Sequence, residues 1–414
     1  MFNSNIAPIV KTYIDPGTGS AIFTVLVGLI GVIYYGLKGL IIKLKSGVKK
    51  GKSNDTSLAY VIYTDSKRYW NVFKPICDEF EKRKVSLMYL TQSKDDPIFN
   101  EKYEFVKSEF IGEGNKGFTK LNFLKADIVL SSTPSLDVYQ WKRSKDVKYY
   151  IHIPHAVNDL TAYRMFGLDY YDAVLLNGEY QKKQLKKLEE LRNINKKDMA
   201  LVGCIYLDEM KKRLENTKKV KNKQTTVLLA PSWGASCILV KHGHEILDNL
   251  LKTGYKVIVR PHPQSYTSDK DVIDDLMTSY PQIEWNRDND NFDVLNKSDI
   301  LISDFSGVIF DFSLVFDKPI IYADTSFDNS IYDASWLDEQ MWTFDILPSL
   351  GKQLNTDNMK NIKSLIDECI SSSEYKKGRE KARKDAWINV NNATKSTVDY
   401  IINKHTELIK KEEL

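Results

Sequence analysis

Short β-rich runs alternating with helix-like segments, once before and again after a lysine-rich stretch at residues 211–223, constrain this chain more than any other feature. Runs at residues 59–63, 85–91, 127–131, 149–153 and 173–176 form the first series, and runs at 226–230, 256–260, 283–285, 300–303 and 319–322 the second. Between them lie helix-like stretches such as 70–84 and 179–191, the latter with Lys and Glu at i, i+3 and i+4. Strands alternating with helices imply an α/β fold built on parallel sheets. A chain of 414 residues exceeds what one core usually holds, so two such domains are expected. The expected organisation is a short outward-facing N-terminus (1–19), a transmembrane helix (20–44), a basic linker (45–57), a first parallel-sheet α/β domain (58–215), a second (224–390) and a C-terminal helix or tail (391–414).

The membrane expectation rests on the run from Ser20 to Leu37, which carries no charge, and on Gly39 to Ile42, which extend it beyond Lys38. A spanning helix needs about 20 apolar residues, and a lysine near its end snorkels to the interface. A cleaved signal peptide has its charge before the apolar run. Here only Lys11 precedes it, whereas Lys38, Lys43, Lys45, Lys49, Lys50 and Lys52 follow. The positive-inside rule then places everything after residue 45 in the cytoplasm, making this a single-pass protein of the inner membrane. A buried core helix fits poorly with the lysine cluster and the polar linker at 46–57.

Composition narrows the classes further. Hydrophobic residues make up 42% and charged residues 28%, an ordinary globular balance, and a net charge of +4 gives no argument for a nucleic-acid partner. Cys77, Cys204, Cys237 and Cys369 lie far apart, without metal-ligand spacing, and read as reduced thiols. His242 and His244 have a spacing that fits no usual helical metal site, and the D-x-D at Asp288-Asn-Asp290 sits in a polar, turn-forming run. No metal and no cofactor is expected.

In open α/β sheets ligands bind beyond the carboxyl ends of strands. The run Val257-Ile-Val-Arg-Pro-His-Pro263 empties a strand into Arg260 and His262, with two prolines fixing the exit. Residues 298–313 read as a buried strand (300–303), a polar turn from Asp304 to Gly307 and a helix starting near Val308. A helix N-terminus bearing Ser306 and Gly307 suits a diphosphate. Ordinary N-capping by Asp304 or Ser306 accounts for the same residues and is compatible with it.

The ordered series Leu228-Leu-Ala-Pro-Ser-Trp233, Arg260-Pro-His-Pro263, Phe292-Asp-Val-Leu295, Ser303-Asp-Phe-Ser-Gly-Val308 with Phe310-Asp311, and Lys318-Pro-Ile-Ile-Tyr322 resembles the CDP-glycerol glycerophosphotransferase family of teichoic acid and capsule synthesis. Upstream, His155-Ala156 occupies the place of the family's His-Gly, and Val202-Gly203 with Asp208 is similar to its Gly-Tyr-Pro-Arg-x-Asp segment. The resemblance implies a GT-B architecture with a cleft between two Rossmann-like domains, the second holding CDP-glycerol or a related nucleotide donor. It implies attack of an acceptor hydroxyl on the β-phosphorus, with release of CMP, and a lipid-linked polymer as acceptor.

By the same resemblance His155 is the base, and His262, Ser306 and the amides after Gly307 take the donor phosphates, with Ser232 and Ser303 in the same donor site. Arg260 is either a further phosphate cation or a structural ion-pair partner. Asp304 orients the turn, and Asp311 orients His262 or bonds the loop. His152, within the strand run 149–153 itself, reads as structural. Gly234 stands where many members carry Arg, so a phosphate-binding cation is missing or supplied elsewhere, and Ala156 stands where they usually carry Gly; both departures touch the donor or acceptor site that the resemblance implies.

A GT-B sugar transferase keeps the same fold, but no Glu stands out to grip a ribose. An epimerase needs a carboxylate pair, and none is evident. A membrane-tethered scaffold with a degenerate site is opposed by the presence of His155, His262 and Ser306. Anchoring to the surface that carries the acceptor raises effective concentration, and the lysine cluster either adds attraction to anionic headgroups or only sets topology. The charged segment from 374 onward reads as helical, and the resemblance implies that part of it crosses back to pack on the first domain, with Trp387, Val398, Tyr400 and Ile401 as the candidate packing residues.

Overall fold

The computed structural model of the chain describes residues 29–31, 33–38, 57–218, 220, 222–288, 290–323 and 327–413. The chain divides into two compact units, residues 1–56 and 57–414. In the first, residues 29–31 and 33–38 are helical, and Leu29, Ile30, Ile33, Tyr34, Tyr35 and Leu37 are exposed. The rest of the expected span at 20–44, the N-terminus and nearly all of the basic linker lie outside the described residues. Among the described residues no helix is long and apolar enough to cross a membrane.

The second unit contains two sheets. The strands of the first are β1 (Leu58–Thr64), β2 (Leu87–Thr91), β3 (Val106–Phe110), β4 (Ala126–Ser131), β5 (Val147–His152), β6 (Ala173–Leu176) and β7 (Asp198–Leu201). Those of the second are β8 (Thr226–Leu229), β9 (Lys256–Val259), β10 (Glu284–Trp285), β11 (Ile300–Ser303), β12 (Ile320–Ala323) and β13 (Gly351–Leu354). Their orders are β3-β2-β1-β4-β5-β6-β7 and β10-β9-β8-β11-β12-β13, with every neighbouring pair parallel.

In each sheet the chain runs outward from its first strand and then returns to that strand's other side. The order therefore reverses between β1 and β4 and again between β8 and β11. Crevices at the carboxyl ends of such reversals are where open α/β sheets bind ligands. The strands beside them are continuous apolar runs, as strands covered on both faces must be: β4, β8 and β11 are buried along their whole length.

The helix expected at 70–84 spans Trp70–Lys82 and buries Trp70, Val72, Phe73, Ile76, Cys77 and Phe80 against the first sheet. That expected at 179–191 spans Glu179–Arg192. The lysine-rich stretch from 211 begins inside another helix, Ile205–Glu215, so its first turn is not a loose connection.

From the second sheet the chain returns to the first. The helix Ala393–Glu412 places Ala393, Val398 and Ile401 in the core beside Phe73, Ile76 and Phe80, with Tyr400 packed at its margin. Burying Val398 and Ile401 contributes roughly 1.5–3 kcal/mol each. Polar contacts fix the helix's register: His405 meets the Tyr60 hydroxyl at 3.1 Å and Asp127 at 2.9 Å, and Lys404 pairs with Asp198 at 2.8 Å. Gly203, at φ +97°, permits the crossing, since a Cβ there would lie 2.4 Å from the Ile388 carbonyl oxygen.

Candidate functional site

Tyr63 of β1, Ser131 of β4 and His152 of β5 lie side by side in register, so the loops that follow these strands leave the same edge of the first sheet. His152 itself is buried, its ring between Tyr163 and Tyr171 and its Nε2 3.1 Å from the Tyr163 hydroxyl, in the structural place expected for it. His155 follows on the exit loop. The helix Glu179–Arg192 and the residues before it hold that loop: Asn177 donates to the Ala156 carbonyl (2.9 Å), and Tyr180 and Gln181 donate to that of Asn158 (2.9 and 2.8 Å). The His155 ring packs 4.9 Å from that of Tyr69. Its Nδ1 is sealed from solvent without a hydrogen-bond partner, which leaves Nε2 as the nitrogen for chemistry. Burial, and secondarily the charge of Arg68, push its pKa down to about 4.

The loop after β1 carries Arg68. Thr64 Oγ1 donates to the Ser66 carbonyl and the Lys67 amide donates to Ser93 Oγ, both at 2.9 Å, and a 3₁₀ turn spans Lys67–Tyr69. Arg68 is exposed and its guanidinium stands 5.2 Å from the Tyr69 ring centroid. Among the described residues no carboxylate pairs with it. At the same edge, Asp65 Oδ1, Ser132 Oγ, Thr133 Oγ1 and Asn158 Oδ1 are buried without a hydrogen-bond partner in the protein. Such groups normally find one, so their concentration on adjacent exit loops marks a polar binding surface. Arg68 and these residues were not singled out from sequence. Their one signal was position just after a strand, shared with many ordinary loop residues.

On the second sheet, Arg260 and His262 follow β9 directly. The Arg260 amide donates to the Leu229 carbonyl (2.8 Å), and its guanidinium donates to Asn286, whose amide in turn donates to Asp288 (2.7 Å). Arg260 is thus engaged within its own lobe. His262 Nδ1 accepts from the Gln264 amide at 3.1 Å, so the neutral ring carries its proton on Nε2 and can donate from there. Burial lowers its pKa, and Arg68 and Arg260 lower it further. Trp233 lies 6.3 Å away between ring centroids.

The turn after β11 is organised by Asp304, which is 2% exposed. Its carboxylate accepts from the amides of Ser232 and Phe305 (both 2.8 Å) and of Ile238 (3.2 Å), joining the turn to the loop after β8. Ser303 is buried and donates to the Ala230 carbonyl at 2.7 Å, a link between β11 and the end of β8. Ser232 is buried beside them. Ser306 and Gly307 are more open: Ser306 Oγ accepts only a long 3.5 Å contact from the Val308 amide, and a Cβ on Gly307 would meet nothing within 4 Å. Of the two roles expected for Asp311, loop bonding is the one seen. It accepts from Tyr206 and Asn291, both at 3.3 Å, and burial pushes its pKa up to about 7.

His244 pairs with Asp275 at 2.8 Å, and Asp290 of the D-x-D pairs with Arg213. Among the described residues no group of three or more His, Cys, Asp or Glu is placed to hold a metal ion.

Two buried carboxylates join the lobes. Asp159, four residues after His155, accepts from the amides of Trp342 (3.0 Å) and Thr343 (2.8 Å). Asp333 accepts from the amides of Phe166 (2.8 Å) and Gly167 (3.2 Å) and pairs with Arg192.

Comparison with known proteins places this geometry. Teichoic acid glycerol-phosphate primase of Bacillus subtilis (strain 168) is 30% identical over 157 residues, covering 32% of this chain and 37% of the primase, so the match spans little more than a third of that relative. The solved structure of the wall teichoic acid polymerase TagF aligns over 92% of this chain and 99% of its own, with a TM-score of 0.55 at 15% identity. A UDP-N-acetylglucosamine 2-epimerase from Rickettsia bellii aligns over 86% and 99%, with a TM-score of 0.56 at 10% identity. At such identities the structural likenesses show the fold alone, two parallel-sheet lobes of the GT-B type. The model of the CDP-glycerol:poly(glycerophosphate) glycerophosphotransferase family matches residues 129–402, more than half of the sequence, including His155, His262 and the turn after β11 but not the loop after β1, and the chain belongs to that family.

Proposed function

We propose that this protein transfers glycerol phosphate, or a related polyol phosphate, from a CDP-linked donor to a hydroxyl of a cell-surface polymer and releases CMP. The observation that carries the reading is that His155 stands on an exit loop of the first sheet, and His262 and the Ser306–Gly307 turn on exit loops of the second. Family membership supports the donor class, and the fold supports a donor and an acceptor meeting between the lobes.

Phosphoryl transfer asks little of a protein beyond alignment, a proton acceptor and compensation of charge. His155 is held neutral by burial, and accepts the proton of the attacking hydroxyl at Nε2. A diphosphate beside it offsets the burial penalty on the imidazolium, so its proton affinity rises as substrate arrives. His262 Nε2–H, the Ser306 hydroxyl and the amides that begin the helix after Gly307 are the donors for phosphate oxygens.

The acceptor is proposed to be lipid-linked, and the chain to be held by its N-terminal apolar segment on the cytoplasmic face of the inner membrane. The uncharged run from Ser20 to Leu37 and the lysines that follow support this part. A panel of nucleotide donors offered to detergent-purified protein with native lipid extract tests the reading. CMP released from CDP-glycerol, and lost in His155→Ala, is the expected result. Release of a nucleoside diphosphate from a nucleotide sugar would move the protein to the sugar transferases.

A further inference from the structure

Among the described residues, the exit loops after β8, β9 and β11 carry Arg260 as their one lysine or arginine. Gly234 occupies the place after Ala230-Pro-Ser-Trp233 where a cation was expected, and its backbone lies at φ +87° with the amide bound to Asp269 at 2.9 Å. Arg260 is engaged by Asn286 and lies beside Asp288 and Asp290. Two negatively charged phosphates cannot be compensated well by a neutral histidine and backbone amides alone.

A cation of the required kind stands on the other lobe. Arg68 leaves the carboxyl end of β1, at the point where the strand order of the first sheet reverses, on a loop fixed by its own side-chain bonds. It is exposed, has no carboxylate partner among the described residues, and rests over Tyr69, which packs on His155. Its charge reaches both histidines, disfavouring protonation of His155 and of His262. Arg68 thus stands beside the Tyr69–His155 ring pair, on the sheet edge that carries the proposed base.

We propose that Arg68 is a catalytic residue whose guanidinium binds the non-bridging oxygens of the transferred phosphoryl group, supplying from the acceptor lobe the charge that the donor lobe lacks at Gly234. This rests on the phosphotransfer reading above. In the step, the acceptor oxygen forms a bond to the β-phosphorus. The bond from that phosphorus to the bridging oxygen breaks, its electron pair leaving with CMP, and the acceptor proton goes to His155 Nε2. Arg68 exchanges no proton. It stabilises charge that is greatest in flight, so its loss falls on kcat. It also links binding to base strength: once phosphate neutralises Arg68, His155 gains proton affinity when it must act.

The test compares wild type, Arg68→Ala and Arg68→Lys in CMP release, and follows the Hε1 resonances of the six histidines in a pH titration with and without pyrophosphate. Arg68→Ala should lower kcat by roughly 10²–10³-fold, the range for removal of one preorganised donor. The KM for CDP-glycerol should move by less than about threefold, and Arg68→Lys should recover part of the loss. In the free protein Arg68→Ala should raise the titration midpoint of His155, which a merely structural residue would not do. Pyrophosphate should raise the midpoints of both histidines in wild type, and that of His155 by clearly less in Arg68→Ala. Unchanged kcat, or a loss confined to the KM of donor or acceptor, overturns the proposal. If wild type releases no CMP from CDP-glycerol, the phosphotransfer reading fails by itself. The pyrophosphate titration then decides on Arg68, and identical behaviour of wild type and Arg68→Ala would falsify it.

Discussion

Asp208 accepts a hydrogen bond from the indole of Trp387 at 2.8 Å and, through its other oxygen, from the backbone amide of Ala393 at 3.0 Å. One carboxylate on the helix Ile205–Glu215 thus holds both ends of the segment by which the chain leaves the second sheet and rejoins the first. Asp208→Ala strands both donors in a buried setting, a loss of about 1–3 kcal/mol for each group left unpaired. Urea unfolding should show a lower midpoint with an unchanged slope, and Asp208→Asn, which keeps one acceptor, should fall between.

His155 titrates from an unusual starting point. Because its pKa is pushed down to about 4, the free protein keeps the imidazole neutral well below pH 6.5. The acid limb of kcat/KM, which reports the free enzyme, should therefore lie below the value of an ordinary histidine. A limb centred at 6.5 or above would sink the assignment of His155 as the base.

Two buried histidines shape acid stability. His152 and His155, at about 3 and about 4 in the folded chain, take up protons in the unfolded chain first. Folding free energy should accordingly be lost as the pH falls below 6.5 toward 4. Replacing His152 by Gln should flatten part of that loss in calorimetric melting curves taken across this window.

Asp311 acts with the opposite sign. Its folded pKa of about 7 lies above the ordinary carboxyl value of 3.8, so its contribution is fully present below 3.8 and lost as the pH rises through 7. The stability of Asp311→Asn relative to wild type should rise between pH 4 and 7, by at most about 1.4 kcal/mol per pH unit. Parallel curves for the two proteins would show that Asp311 does not titrate there.

The two serines of the turn after β11 should separate in kinetics. Ser303 already donates to the Ala230 carbonyl, whereas the Ser306 hydroxyl has only a long contact to Val308. A hydrogen bond to a charged phosphate contributes about 1.5–3 kcal/mol, so Ser306→Ala should raise the KM for CDP-glycerol about tenfold or more. Ser303→Ala should lower the melting temperature and leave that KM nearly unchanged.

Legibility followed burial. Strands β4, β8 and β11 were plain in the sequence because parallel strands covered on both faces must be apolar throughout. β3 (VKSEF), β7 (DMAL) and β13 (GKQL) went unread, since each is a sheet edge with polar, solvent-facing positions that interrupt any apolar run. In the site, His262 and the turn from Asp304 to Gly307 were visible because they follow strong strands in short, constrained stretches. Arg68 was hidden by its surroundings: in Ser66-Lys-Arg-Tyr69 it reads as one of two solvated basic residues, and only the reversal of strand order at β1 sets it apart. The roles of Asp159 and Asp333 were also invisible, because their partners lie more than 130 residues away in the chain.

The helix that completes the first lobe also sets a timetable. Ala393, Val398 and Ile401 belong to the same core as Phe73 and Ile76, yet the ribosome delivers them only after all of the second sheet has been made. During synthesis the surface of the helix Trp70–Lys82 that they cover must wait, apolar and unprotected, while the second lobe folds. A nascent chain stopped near residue 390 would carry His155 and His262 but an unfinished first core, and should be a target for chaperones and proteases. The first domain thus closes only after the second has been made.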